Sequence, residues 1–195
     1  SDTHWPANLS GVFEEPTVAE VSIPDRMRLC AARLTFVAVR KTQTGDVIIN
    51  MRMANDQQQC GGTHCRFGAK STDGGKSFSV ATPIPSLVSS GCQGSLLFHP
   101  PSQAILFSNP RNGHSRINGT LTRSLNNGES WDVFSTIDPR SFGYSCLSLL
   151  PAAAGPGNTV VNRTHVGVLY EGLSGLLLFA HVAVKSDDTV SSDGL

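Results

Sequence analysis

The chain reads as all-β, and as a propeller within that class, on three observations. Apolar runs have strand length, turn residues separate them at short intervals, and one turn signature occurs twice. Val47-Ile48-Ile49-Asn50-Met51-Arg52, Gly94-Ser95-Leu96-Leu97-Phe98 and Ala104-Ile105-Leu106-Phe107 are such runs, each close to Pro, Gly, Asn or Ser. Phe142-Gly143-Tyr144-Ser145-Cys146-Leu147-Ser148 and Val168-Leu169-Tyr170-Glu171-Gly172 add two more, one carrying a tyrosine and the other an acidic residue near its end. Leu176 to Val184, interrupted only by His181, predicts a buried strand. A long helix is expected at most over Asp25 to Arg40.

The repeated signature selects the propeller from among the all-β architectures. Ser71-Thr72-Asp73-Gly74-Gly75-Lys76-Ser77-Phe78 and Ser124-Leu125-Asn126-Asn127-Gly128-Glu129-Ser130-Trp131 place Asp73 and Asn126 at equivalent positions 53 residues apart. That spacing is near the length of a propeller blade, roughly 40 to 50 residues. The pattern has a local logic. The short polar side chains bond nearby backbone groups, Gly supplies positive φ, and the aromatic packs back across the hairpin. Both copies are expected to be structural.

Composition narrows the function classes. Lys+Arg and Asp+Glu both total 15, leaving no net field for nucleic acid or an anionic membrane. No apolar run reaches the 18 or so residues of a membrane helix. Five cysteines (Cys30, Cys60, Cys65, Cys92 and Cys146) cannot all pair with one another. Cys60 and Cys65 with His64 lack the further ligands zinc requires, so a local disulfide or two thiols is expected there and no metal. The sequons at Asn8, Asn118 and Asn162 tilt the expected location towards a secretory lumen.

Further segments, taken in order, carry a resemblance. Phe13-Glu14-Glu15-Pro16-Thr17-Val18-Ala19-Glu20-Val21, Asn50-Met51-Arg52, Gly91-Cys92-Gln93-Gly94-Ser95, and Phe107-Ser108-Asn109-Pro110 with Arg116-Ile117-Asn118 resemble successive segments of the sialidases. The tyrosine and glutamate runs and the two turn signatures, similar to that family's Asp-boxes, complete the set. The match extends from about Glu14 to Glu171. It is similar above all to animal lysosomal sialidases, although the Gly91-Cys92-Gln93-Gly94 loop looks more like cytosolic and bacterial relatives.

The resemblance implies an exo-α-sialidase, a retaining hydrolase of terminal sialic acid on glycoproteins, glycolipids and oligosaccharides. It implies Tyr144 as nucleophile and Glu15 as its base, with Glu14 a weaker candidate. Arg52 and Arg116 would clamp the substrate carboxylate as the second and third arginines of a triad, Arg111 competing with Arg116 for the third place. Gln93 would contact the sugar or bond within its loop, and Glu171 would brace another arginine of the carboxylate triad. A phenol suits this substrate because a carboxylate nucleophile would be repelled by the sugar's own carboxylate. Its pKa of about 10 requires a base, and guanidinium grips carboxylate in a bidentate way that lysine cannot.

No cofactor is implied, and the implied partner is a sialylated glycan. The resemblance further implies that the chain is the C-terminal part of one catalytic domain, a partial six-bladed propeller of about three to four blades. The family's first triad arginine and its acid/base aspartate have no match before Glu15. Residues 23–44 match nothing in the family and are expected to be an insertion. Exposed blade edges make association with another chain an expectation. The location implied is lysosomal or another secretory-pathway lumen, the alternative being cytoplasmic or membrane-associated. The rival reading is a non-catalytic glycan-binding or receptor propeller, for which the Asp-boxes alone would suffice.

Overall fold

The computed structural model describes residues 37–41, 45–52, 60–150 and 165–184. Eleven strands run through them: β1 (Val37–Lys41), β2 (Val47–Arg52), β3 (Cys65–Ser71), β4 (Thr82–Val88), β5 (Ser95–His99), β6 (Ala104–Pro110), β7 (Ile117–Ser124), β8 (Asp132–Ser141), β9 (Ser145–Leu149), β10 (His165–Glu171) and β11 (Leu177–Ala183). They form three antiparallel meanders, ordered β1-β2-β3-β4, β5-β6-β7-β8 and β9-β10-β11. Among the described residues the three blade-like sheets make a partial propeller without closing a ring.

Side-chain alternation assigns the layers. β6 is buried at every position because it lies in the middle sheet and serves both faces. Ile105 and Phe107 point towards the first sheet, joining Ile48, Leu87, Leu96 and Trp131. Ala104 and Leu106 point the other way, joining Leu147, Val166, Val168 and Tyr170 of the third sheet. β2 divides likewise, Ile48 facing the middle sheet while Ile49 and Met51 pack with Phe67 and Ala69 on the far side. The period of two thus builds two inter-sheet cores from strands buried on both faces.

The repeated turn signatures close the β3–β4 and β7–β8 hairpins. Ser71 Oγ accepts from Gly75 N at 2.8 Å, and Ser124 Oγ accepts from Gly128 N at 2.8 Å. Asp73 Oδ1 accepts from Ser77 N at 3.0 Å, and Asn126 Oδ1 accepts from Ser130 N at 2.9 Å. Gly74 and Gly75, then Asn127 and Gly128, hold the two left-handed positions. Trp131 is buried between the first two sheets, its indole N–H donating to Gly128 O at 3.0 Å. The boxes therefore share their main backbone bonds, but Asp73 also accepts from Lys76 N and Ser77 Oγ, whereas Asn126 donates to Ser130 Oγ, so Asn keeps the turn with one bond reversed and one fewer.

Two expectations need correction. The helix expected at most over Asp25 to Arg40 does not include residues 37–40, which are strand. β1 pairs with β2 from Val37↔Met51 to Lys41↔Val47, so part of the unmatched 23–44 segment is drawn into the first sheet. Residues 23–36 and 42–44 lie outside the described residues. Leu176 to Val184 does contain a strand, but not a buried one. In β11 exposed residues alternate with half-buried ones, Leu177 and Phe179 being 69% and 60% exposed. Its outward face meets no further sheet among the described residues.

Phe107 is fully buried, edge-on to Trp131 with ring centroids 6.2 Å apart and under the Arg66 guanidinium at 5.3 Å. Phe107→Ala is expected to cost about 3–5 kcal/mol in equilibrium denaturation, the usual range for a buried Phe. Hydrogen bonds from Ser77 and Ser71 hold the Asp73 carboxyl well below the ordinary carboxylate range. A depressed folded-state pKa gives stability that is complete above the unfolded value of about 3.9 and is lost as pH falls below it. Asp73→Asn copies the Asn126 box without the charge. The Tm advantage of the parent chain over this variant should be constant from about pH 5 to 8 and shrink below about pH 4.

Candidate active site

The candidate residues come from the seam between the middle and third sheets and from the end of β2. β9 lies beside β5, and its inner backbone is satisfied by side chains rather than by another strand. Gln93 Oε1 accepts from Ser145 N at 2.9 Å, and Ser95 Oγ accepts from Leu147 N at 3.0 Å. The Ser108 and Ser145 hydroxyls bond each other at 2.8 Å, buried between β6 and β9. These contacts set where β9 begins, and so where Tyr144, the residue before it, stands.

Glu171 ends β10 beside that tyrosine. Its carboxylate accepts from Tyr144 N at 3.2 Å, its backbone N donates to Tyr144 O at 2.9 Å, and its carbonyl accepts from Gly143 N at 2.7 Å. A Cβ on Gly143 would stand 2.6 Å from Glu171 Oε2, so a larger residue there would push the carboxylate off Tyr144 N. On the ring side, the Arg116 guanidinium lies 5.0 Å from the Tyr144 ring centroid. Arg116 is exposed at the end of the turn before β7, its carbonyl accepting from Phe142 N at 2.9 Å.

Arg111 and Arg116 occupy different environments. Arg111 N donates to Asn118 O at 2.9 Å, and Asn118 Nδ2 donates to Arg111 O at 3.2 Å, so Arg111 and Asn118 bracket the turn. Arg111 Nε is buried without a hydrogen-bond partner. Of the sequon asparagines, Asn118 is thus half-buried and engaged in this bracket, while Asn8 and Asn162 lie outside the described residues.

Arg52 donates through Nη1 to Gly91 O, which brings the end of β2 to the Gly91-Cys92-Gln93 loop. A residue the sequence reading missed supports the same loop. Arg66 on β3 is fully buried, donating from Nε to Asn50 Oδ1 at 2.6 Å and from Nη1 to Cys92 O at 2.7 Å. The Asn of Asn50-Met51-Arg52 therefore serves Arg66, while the Arg serves the loop. No sequence signal marked Arg66, because its partners come from β2 and a loop 26 residues on. Burial raises the Cys92 thiol above its ordinary pKa, opposed by the positive fields of Arg116, Arg52 and Arg66. Three guanidinium groups therefore bear on one loop.

The structure brings Tyr144, Glu171, Arg116, Gln93 and, through the loop, Arg52 to one region. Glu15, and Glu14 with it, lie outside the described residues. Gln93 spends its carbonyl oxygen on the Ser145 backbone. Cys60 and Cys65 form a disulfide, and among the described residues no group of three or more His, Cys, Asp and Glu could hold a metal.

The three antiparallel meanders are blades of a partial β-propeller, and the known proteins it is similar to include sialidases. In sequence, the chain is 30% identical over 140 residues to a sialidase of Micromonospora viridifaciens, a match covering 68% of this chain and 19% of that protein. In structure, it is similar to the Hadza microbial sialidase Hz136, with a TM-score of 0.57 and 23% identity over 77% of this chain and 28% of that one. The K499G mutant of NanB sialidase from Streptococcus pneumoniae follows, with a TM-score of 0.53 and 20% identity over 70% of this chain and 20% of that one. No protein-family model matches the chain. The chain spans about a fifth of the length of the curated relative, and the two structural likenesses are likenesses of fold.

Arg66 and the burial of Cys92 make a chemical prediction. In the folded protein, iodoacetamide should modify the exposed Cys146 and spare Cys92, read by peptide mass spectrometry. Arg66→Met releases the Cys92 carbonyl and should make Cys92 labelling at least severalfold faster.

Proposed function

We infer that this chain carries part of the site of an exo-α-sialidase, a retaining hydrolase of terminal sialic acid on glycoproteins, glycolipids and oligosaccharides. The observation that carries the reading is the Arg116 guanidinium over the Tyr144 ring, with Glu171 clasping the same residue's backbone. Arg116 and Arg52 take the substrate carboxylate, each charge-assisted bond contributing about 1.5–3 kcal/mol. Tyr144 Oη bonds to the anomeric carbon as the bond to the leaving oxygen breaks, and Glu15 takes the phenol proton. The leaving oxygen takes a proton from solvent; water then attacks the anomeric carbon and loses a proton to solvent, the tyrosyl–sugar bond breaks, and Glu15 returns its proton to the Tyr144 phenolate, with net retention.

The animal lysosomal sialidases are the proposed kin, on the Ser108-Asn109-Pro110 segment and the sequon after Arg116. The Cys60–Cys65 disulfide supports an oxidising lumen as the location.

The test is fluorophore release from an aryl sialoside, whose leaving group needs the least protonation, scanned from about pH 4 to 7. The chain has no match to the family's acid/base aspartate or first triad arginine, so any turnover is expected to be weak, to vanish in Tyr144→Phe, and to fall roughly 10²- to 10⁴-fold in Glu15→Gln, the usual weight of proton transfer. Turnover that survives Tyr144→Phe overturns the assignment. Saturable sialic acid binding by a folded chain without turnover would establish the non-catalytic glycan-binding propeller instead.

A further inference from the structure

Arg116 and Tyr144 meet from different strands, and one closed circuit of contacts lies behind both. Phe142 is fully buried, and its ring stacks on Tyr170 with centroids 4.6 Å apart and planes at 20°. Tyr170 donates from its phenol to Asp138 Oδ2 at 3.1 Å, and Asp138 stands opposite Gly119 in the β7–β8 pairing. The Phe142 ring then lies against Gly119 itself, where a Cβ would collide with ring atoms Cδ2 and Cγ. The ring thus fills the space that a side chain at 119 would need.

Three residues of the candidate site leave this circuit within three positions of one of its members. Arg116 precedes Gly119, and its carbonyl accepts from Phe142 N at 2.9 Å. Tyr144 follows Phe142. Glu171 follows Tyr170 and accepts from Tyr144 N at 3.2 Å. Between Arg116 and Gly119 the pairing is bulged. Ile117 faces Ser141 and Gly119 faces Asp138, so Asn118 alone stands against Pro139 and Arg140. Asn118 is left-handed, with φ at 59°, and its side chain donates to Arg111 O. Bulges of this kind bend a strand and re-aim its side chains. Here the bend lies between the Phe142 ring and the guanidinium that covers Tyr144.

We propose that Phe142, seated between Gly119 and Tyr170, is a positioning residue that sets the Arg116 guanidinium over the Tyr144 ring. A methyl group at 119, or a smaller side chain at 142, changes that placement without replacing either residue. The role rests on the sialidase reading, in which the placement matches the carboxylate-gripping group to the nucleophile. Phe142 itself is buried and acts only through the residues it holds.

The chain has two tyrosines, Tyr144 and Tyr170. Isotope-labelled tyrosine in the full chain therefore gives one ring signal from each by nuclear magnetic resonance, assigned with Tyr144→Phe and Tyr170→Phe. Arg116→Ala marks where the Tyr144 signal lies without the guanidinium above it. Gly119→Ala and Phe142→Leu are each expected to move the Tyr144 signal towards that mark. Together they should move it less than the sum of their separate shifts, because the trimmed side chain makes room for the methyl. Both variants should also weaken binding of an unsaturated sialic acid analogue about tenfold or more, the weight of one charge-assisted bond. Thermal melts establish folding, and if Gly119→Ala does not melt cooperatively, Phe142→Leu decides alone. A Tyr144 signal that stays in place in a folded variant overturns the proposal and leaves Phe142 a core residue. Additive shifts overturn the Gly119 contact as the means. The signals need no ligand, so a parent chain without affinity for the analogue refutes the sialidase reading, while the signals still decide the placement.

Discussion

The seam between β5 and β9 is the constraint on which the candidate site depends. β9 is the inner strand of its sheet, and its free backbone N–H groups would be left unsatisfied against the middle sheet. Gln93 and Ser95 accept from Ser145 N and Leu147 N, and Ser108 bonds the Ser145 hydroxyl. Losing such a partner exposes a buried donor to the full desolvation cost, roughly 1–3 kcal/mol. The side chains that satisfy β9 thus also determine where Tyr144 emerges. Glu171 then clasps the residue from β10, and Arg116 covers it from the turn before β7.

A second buried arrangement supports the first. Arg66 is a fully buried cation whose known partners are an amide oxygen, a backbone carbonyl and the face of Phe107. Charge-assisted hydrogen bonds and a cation–π contact offset the cost of its burial. The same contacts tie β2, β3 and the Gly91-Cys92-Gln93 loop together, and Arg52 bonds that loop one residue away. Elsewhere, Tyr170 stacks on Phe142 with centroids 4.6 Å apart and donates to Asp138 at 3.1 Å. Arg140 holds Asp138 below its ordinary pKa, and burial, then the Asp138 bond, raise that of Tyr170. These polar groups anchor the third sheet to β8 and take no part in the proposed chemistry.

Much of the fold was legible because strands and turns are local. The β2 run, Val47 to Arg52, coincides with its strand, and both turn signatures fall at outer hairpins. Tyr144 and Glu171 were marked by their places at the ends of apolar runs. Burial of β11 was misread because an apolar run says that a strand can be covered, not that a neighbour is present. The status of Gln93 was open in the sequence, since a loop glutamine serves ligand and backbone alike. Contact with Ser145, 52 residues away, shows one use of its side chain.

Sequence alone determined the strands, the paired turns and the neutral overall charge. The strands and turns rest on side-chain periodicity and on hydrogen bonds spanning a few residues, and the charge on composition. Tertiary structure decided which side chains share a region, that Asn50 serves Arg66, that Cys92 is buried within the field of three arginines, and that β11 is exposed along one face among the described residues. Those facts depend on sheets meeting across long stretches of chain, where a residue's partner is set by packing and by the need to satisfy buried polar groups.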